Sequence, residues 1–322
     1  MKRPKILVVG SAVMDLIVSA GRLPASGETV IGHGFRTAAG GKGANQAVQA
    51  ARLGAEVTMV GKVGADAFGQ ELIASLRSAG VDTGHIGIAA DVPSAVGNVQ
   101  LECSAAGTAN RIVVVPGANH AIVPEDVAFL QEDIAAYDMV ILQLEIPMGI
   151  NELVVGYAHD KGVPVMLNAA PYAAVAPQVL KRLAYISPNE HEAGEMVGFP
   201  VDEDDAVRRA VQTLLGQGIA NVIITLGGRG AAFGNAQEFF LCPCVPGVTL
   251  KDPTAAGDSF VGAFCVGVCG GLSDRRAMEL ARYAAALTVS RMGAQPSLPT
   301  LPEVRELMHR CGEDVDDLLW PL

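Results

Sequence analysis

Four largely apolar runs beyond residue 138, each with a polar residue at or near its carboxyl end, restrict the fold more than any other feature. They are Met139-Val140-Ile141-Leu142-Gln143-Leu144-Glu145, Val163 to Asn168, Ala184 to Glu190, and Asn221 to Gly228. Stretches of helical length separate them. Alternation of strand and helix builds a parallel sheet with helices on both faces. In such a sheet ligands bind outside the carboxyl ends of the strands. Here those ends carry Glu145, Asn168, Asn189 and Thr225, the polar residues a site requires.

The first half follows the same pattern with an interruption. Lys5 to Gly10 is a continuous apolar run ending in glycine, the form of a strand buried on both faces. Val13 to Val18 is strand-like, and Pro24 to Val30 reads as a turn followed by a strand. The segment Ala38 to Gln46 opens a helix that runs to about Leu53, Gly54 to Gly61 reads as a strand, and Phe68 to Ala79 as a helix. Between Ser94 and Val115 the text changes to short β-like runs, Ala95 to Leu101 and Arg111 to Val115. With the strands near 13–18 and 28–37, these are expected to form a small separate sheet.

With 322 residues, half of them hydrophobic, the chain is large enough to bury an extensive core. A formal net charge of −11, with no basic cluster, speaks against a nucleic-acid partner. Met1-Lys2-Arg3-Pro4 runs directly into a strand without a signal-peptide pattern, and no apolar stretch reaches membrane-spanning length. The expectation is a soluble, cytoplasmic protein. Cys242-Pro243-Cys244 and the Cys265/Cys269 pair lack the spacing of a zinc site, so all six cysteines are expected to be reduced thiols.

The stretch most suggestive of chemistry is Lys251-Asp252-Pro253-Thr254-Ala255-Ala256-Gly257-Asp258-Ser259-Phe260. Small residues lead to one carboxylate, and the uncharged run Phe260 to Leu272 continues as a buried helix starting near Asp258. A helix N-terminus offers unpaired N–H groups and partial positive charge, and small residues let those amides approach an anion. Asp258 is therefore either a proton acceptor beside an anion site or simply the N-cap of a core helix. No Walker A sequence is present. Gly40-Gly41-Lys42-Gly43 has the wrong spacing for one, and Ala44-Asn45 follows in place of Ser or Thr. Glycine, lysine and asparagine at one helix start instead suggest hydroxyl recognition by Lys42 and Asn45.

Taken in order, Gly10-Ser11 with Asp15, Gly40-Gly41-Lys42-Gly43-Ala44-Asn45-Gln46-Ala47, Gln143-Leu144-Glu145, Pro188-Asn189-Glu190-His191-Glu192, Thr225-Leu226-Gly227-Gly228-Arg229-Gly230, Asp252 to Asp258 and Gly293-Ala294-Gln295-Pro296-Ser297 resemble the ribokinase-like family of carbohydrate kinases. The resemblance spans Lys5 to about Ser297. It implies an α/β fold, a parallel-dominated sheet flanked by helices on both faces, with a small β-sheet lid. The nucleotide- and sugar-binding domain would comprise 1-12, 38-93 and 116-310, the lid 13-37 and 94-115, and the tail 311-322. From Glu313 the tail is acidic, with an apolar finish at Trp320, and reads as a solvated end with a few docking side chains.

The resemblance also implies roles. Asp258 would be the general base towards a sugar hydroxyl attacking the γ-phosphate of ATP, with Ala255, Ala256 and Gly257 forming an anion hole. Asp15, Gly41, Lys42, Asn45 and Glu145 would bind the sugar, most simply a pentose such as D-ribose. Asn189, Thr225, Leu226, Gly227, Gly228, Arg229, Gly230, Gly257 and Arg282 would bind the nucleotide, with Asn189 and Glu192 organising Mg2+ through water. Asp252, Thr254, Thr288, Arg291, Gly293 and Ser297 would form a K+ site, and the lid would pair with that of a second subunit in a homodimer. Three positions depart from the family pattern. Val13 stands where an asparagine helps hold ribose hydroxyls, which brings 2-deoxyribose, a ketohexose or a nucleoside into view as acceptors. Pro253 replaces a threonine beside the K+ site, and Gly228 replaces a serine in the nucleotide loop. A non-catalytic sugar sensor is disfavoured because it needs no base at a phosphate site.

Overall fold

The computed structural model of the chain describes residues 3–318 apart from 105 and 106. Its strands are β1 (Lys5–Val9), β2 (Val13–Ala20), β3 (Gly34–Gly40), β4 (Glu56–Gly64), β5 (Asp82–Ala89), β6 (Ala95–Ser104), β7 (Gly107–Val115), β8 (Met139–Gln143), β9 (Val165–Asn168), β10 (Tyr185–Ile186), β11 (Asn221–Thr225), β12 (Ala231–Asn235) and β13 (Phe239–Cys242). Its α-helices are α1 (Lys42–Arg52), α2 (Ala67–Ser78), α3 (Pro124–Val127), α4 (Leu130–Asp133), α5 (Met148–Lys161), α6 (Pro177–Leu180), α7 (Glu190–Val197), α8 (Asp204–Gly216), α9 (Ala256–Cys269), α10 (Asp274–Val289) and α11 (Leu301–Arg310).

Nine strands form one sheet in the order β13-β12-β11-β10-β9-β8-β1-β4-β5. From β11 to β5 every neighbour is parallel, and only the β11–β12 and β12–β13 pairs are antiparallel. Alternate residues of the central strands feed two separate cores. Ile6, Val8, Met139 and Ile141 pack with Ala44, Val48, Phe264 and Leu280 on one face. Leu7, Val9, Val140 and Leu142 pack with Ile150, Val154, Val207 and Leu214 on the other. Both faces of β1 and β8 are thus covered, which is why these strands read as unbroken apolar runs. Each fully buried Val, Leu or Ile side chain contributes about 1.5–3 kcal/mol.

After β1 the chain adds β4 and β5 on one side and later adds β8 on the other. The crevice where strand order reverses, beyond the ends of β1 and β8, is where open α/β sheets bind ligands. A second sheet, β3-β2-β6-β7, stands beside it. In it β2 lies between an antiparallel β3 and a parallel β6.

Three local expectations change. No strand forms over Pro24 to Val30. That stretch is an exposed loop in which Glu28 accepts hydrogen bonds from Arg22 and the Ala25 N–H, so β3 begins only at Gly34. The run from Ala184 shortens to a two-residue strand. Pro188 has no N–H to continue the ladder, and Asn189 already caps α7. The helix after the 252–257 turn starts at Ala256, two residues before Asp258. In the tail, Leu318 is fully buried, whereas Trp320 lies outside the described residues. No helix among the described residues is long and apolar enough to cross a membrane.

Candidate active site

The start of α9 has an uncommon backbone. Ala255, its N-cap, has φ 61°, the only positive φ on a non-glycine residue among those described. An L-residue there costs about 1–2 kcal/mol, and such strain clusters at functional sites. Ala256 N–H donates to Pro253 O (3.2 Å), while the N–H groups of Ala255, Gly257 and Asp258 find no acceptor among the described residues. The turn therefore aims a set of free amides at its concave side.

Asp258 does not cap the helix. It is the third residue of α9, and its carboxylate is turned onto α1, where Asn45 Nδ2 donates to Oδ2 (2.9 Å) and Gln46 Nε2 donates to Oδ1 (3.0 Å). Burial pushes its pKa up, against the opposing pull of the Lys42 charge and these two hydrogen bonds. Gln46 extends the arrangement, since its Nε2 also lies 3.1 Å from Asn168 Oδ1 and its Oε1 accepts from Gln143 Nε2 (2.7 Å). A chain of amides thus runs from the end of β8 through α1 to α9 and fixes the carboxylate.

The other predicted sugar residues gather at the N-terminus of α1, within a turn of Asn45. Glu145 Oε2 accepts from Ser11 Oγ and from the Lys42 N–H (3.1 Å). Asp15 enters from β2, where its carboxylate lies over Gly97 of β6 and Gly40 of β3. A Cβ on either glycine would come within 2.3 Å and 2.8 Å of its oxygens. Burial raises the Asp15 pKa to about 6, and the Glu145 charge adds to the effect. Val13 lies on the same face of β2, with Cγ1 close to Gly97. Gly41, with φ 93°, backs onto Ala12 and Val13, leaving no room for a side chain. Asn45 Oδ1 is buried with no partner, an unmet acceptor that a hydroxyl would satisfy.

Beyond Asp258 opens a cleft of about 680 Å³. Lys42 stands where the two regions meet; burial opposes its charge, but the carboxylates of Asp258, Glu145 and Glu192 raise its pKa. Asn189, Glu192, Thr225, Gly227, Gly228 and Gly230 line the cleft, as do Arg282 and apolar residues that include Val245, Ala285 and Val289. Leu226 is buried instead, and Arg229 is held away from the cleft by Glu190, the Val201 carbonyl and Asp204.

The resemblance implies two ion sites. Asn189 Oδ1 caps α7 through the His191 and Glu192 N–H groups, and Glu192 Oε2 accepts from the Asn189 N–H. The second Glu192 oxygen is left for a ligand. Burial raises the Glu192 pKa, against the pull of the Asn189 N–H and the Lys42 charge, and the Asp258 charge adds to the rise. Asp252 accepts from the N–H groups of Thr254 (2.9 Å) and Gly293 (2.8 Å), which draws the 252–254 and 291–297 loops together. Thr288 and Ser297 are buried beside these loops, and the Thr288 carbonyl accepts from the Arg291 N–H.

Residues 3–301 match the family model described as pfkB family carbohydrate kinase. The chain belongs to the pfkB family of carbohydrate kinases. This pfkB kinase is an ATP-dependent sugar kinase. It is 39% identical over 303 residues to the ribokinase of Bacillus subtilis, covering 94% of this chain and 99% of that one. It is 33% identical over 304 residues to the deoxyribokinase of Salmonella typhimurium, covering 94% and 98%. The structure of Arabidopsis thaliana ribokinase complexed with ribose and ATP superposes with a TM-score of 0.87 at 32% identity, over 96% of this kinase and 99% of that chain.

Gln46, Gln143 and Ser11 belong to the site but received no role from the sequence. The available signal was polarity at buried positions. Gln46 and Gln49 lie on the buried face of α1 among alanines, where an unsatisfied amide is costly.

Proposed function

We propose that this kinase transfers the γ-phosphate of ATP to the terminal C5 hydroxyl of D-ribose, giving ribose 5-phosphate and ADP. One observation carries the reading: Asp258 is buried at the N-terminus of α9, between free backbone amides on the cleft side and a hydroxyl-binding cluster on the other. Asp15, Asn45 and Glu145 accept hydrogen bonds from the sugar hydroxyls and orient C5 towards the cleft. As the C5 oxygen forms its bond to phosphorus, its proton passes to Asp258 and the bond to the ADP oxygen breaks. A carboxylate whose pKa is raised by burial is a better proton acceptor than an exposed one. The Ala255 and Gly257 amides, with Lys42, receive the charge on the moving phosphoryl group. Asn189 and Glu192 would hold magnesium through water, and the ion would neutralise phosphate charge. A monovalent ion at the Asp252 loop would steady the amide turn, and exposed lid strands would pair with those of a second subunit.

Two measurements test this. ADP release is followed with a panel of pentoses, hexoses and nucleosides, with and without potassium; release with none of them would refute the activity. Asp258→Asn is expected to lose about 10³-fold in kcat while still binding sugar. A rate near that of the unsubstituted enzyme would remove Asp258 as the base.

Val13 favours a second reading, 2-deoxyribose as acceptor. Its side chain shares the Asp15 face of β2 and offers no hydrogen bond, and deoxyribokinases are among the relatives. Val13→Asn is expected to move the kcat/KM ratio towards ribose over 2-deoxyribose by about tenfold or more. An unchanged ratio would exclude Val13 as a determinant.

A further inference from the structure

The wall of the cleft that carries Arg282 is tied to a part of the chain outside the family match. Arg282, on α10, donates from Nη2 to Glu313 Oε1 (2.9 Å) and from Nη1 to the Pro243 carbonyl (3.4 Å). The guanidinium lies 4.8 Å from the Tyr283 ring centroid. The Tyr283 hydroxyl donates to the same Glu313 oxygen (3.0 Å). Arg282 Nε is buried and has no partner. Glu313 follows α11, beyond residue 301 where the family model ends.

The segment bearing Glu313 is firmly attached. Its N–H donates to Met308 O (3.0 Å), Asp317 accepts from Arg276 Nε (2.8 Å) and Nη2 (2.9 Å), and Leu318 is fully buried. On the far side of Arg282, Pro243 precedes Cys244, whose thiol lies 3.4 Å from the Gly227 carbonyl in the glycine loop across the cleft. An arginine side chain has many rotamers, and a carboxylate partner selects one of them. With one nitrogen on Glu313 and one on Pro243, the guanidinium is fixed in the cleft lining to which it belongs.

We propose that Glu313 is a positioning residue for the nucleotide: it holds the Arg282 guanidinium in the orientation that meets the base of ATP. This rests on the reading of the cleft as the nucleotide site. The C-terminal segment then contributes to ATP affinity without touching ATP.

The test compares Glu313→Ala, Arg282→Ala and the double variant, with KM for ATP and for the sugar, kcat, and Kd for ADP by calorimetry. Glu313→Ala is expected to raise KM for ATP and Kd for ADP about tenfold, with kcat and the sugar KM changing less than about twofold. Arg282→Ala raises the same constants, and the double variant is no worse than Arg282→Ala alone. Glu313→Gln, which keeps the shape and one acceptor, gives a smaller rise and serves if the alanine variant folds poorly. Unchanged nucleotide constants in both Glu313 variants, with Arg282→Ala impaired, would overturn the proposal. So would an equal rise in the ATP and sugar KM values, or a Glu313→Ala effect that persists in full without Arg282. Nucleotide constants unmoved by Arg282→Ala would instead remove the nucleotide reading of that wall.

Discussion

At the scale of single residues, two carboxylates differ in their surroundings. Asp258 is held by two side-chain amides, whereas Asp15 sits over two glycines beside Glu145. With its pKa raised to about 6, Asp15 loses its charge over a range where ordinary carboxylates keep theirs. A hydroxyl donates to the ionised form, so sugar affinity is expected to weaken about tenfold between pH 7 and pH 5. Calorimetric titration with sugar across that range checks this, and the dependence should vanish in Asp15→Asn. The sign for stability is opposite: the folded state holds this proton more tightly than the unfolded state, so its contribution is full below about pH 4 and is lost as pH rises through about 6. Asp258 was legible in the sequence only as one of two readings. Capping by aspartate needs a side chain folded back on its own helix, and the left-handed Ala255 gives the cap position to another residue. Gln46 stayed hidden because its partners, Gln143, Asn168 and Asp258, come from three other segments of the chain.

At the scale of elements, legibility followed burial. β1, β4, β8, β9 and β11 are parallel strands enclosed by helices, and their apolar runs announce them. β5, an edge strand carrying Asp82, Gly84, His85 and Gly87, has no such run. The β12–β13 pair extends the sheet antiparallel, where an alternation of strand and helix gives no hint of it. Pairing in the smaller sheet matters for the site, because β6 places Gly97 against Asp15. Gly97→Ala would put a methyl group 2.3 Å from Asp15 Oδ1 and displace the carboxylate. Its expected effect is a rise of about tenfold or more in the sugar KM with the ATP KM unchanged. Steady-state kinetics with each substrate varied in turn decides it, and equal effects on both constants would count against a local displacement.

At the scale of the whole molecule, the smaller sheet exposes an apolar surface that a monomer rarely keeps. Phe35 is 69% exposed and Val113 65%, with Ile112, Val114 and Val115 each at least half exposed along β7. An apolar, unpaired strand edge is a template for another strand. Self-association through this sheet is expected, and Val113→Lys with Val115→Lys should shift the sedimentation coefficient from that of a dimer to that of a monomer. A monomeric parent protein would rule it out. The same sheet carries Asp15, while Asp258 belongs to the main body. The two carboxylates are therefore mounted on separate platforms, and only a molecule long enough to touch both can span them. On the proposed function the acceptor is that molecule, and ATP hydrolysis without a sugar is expected to be slow.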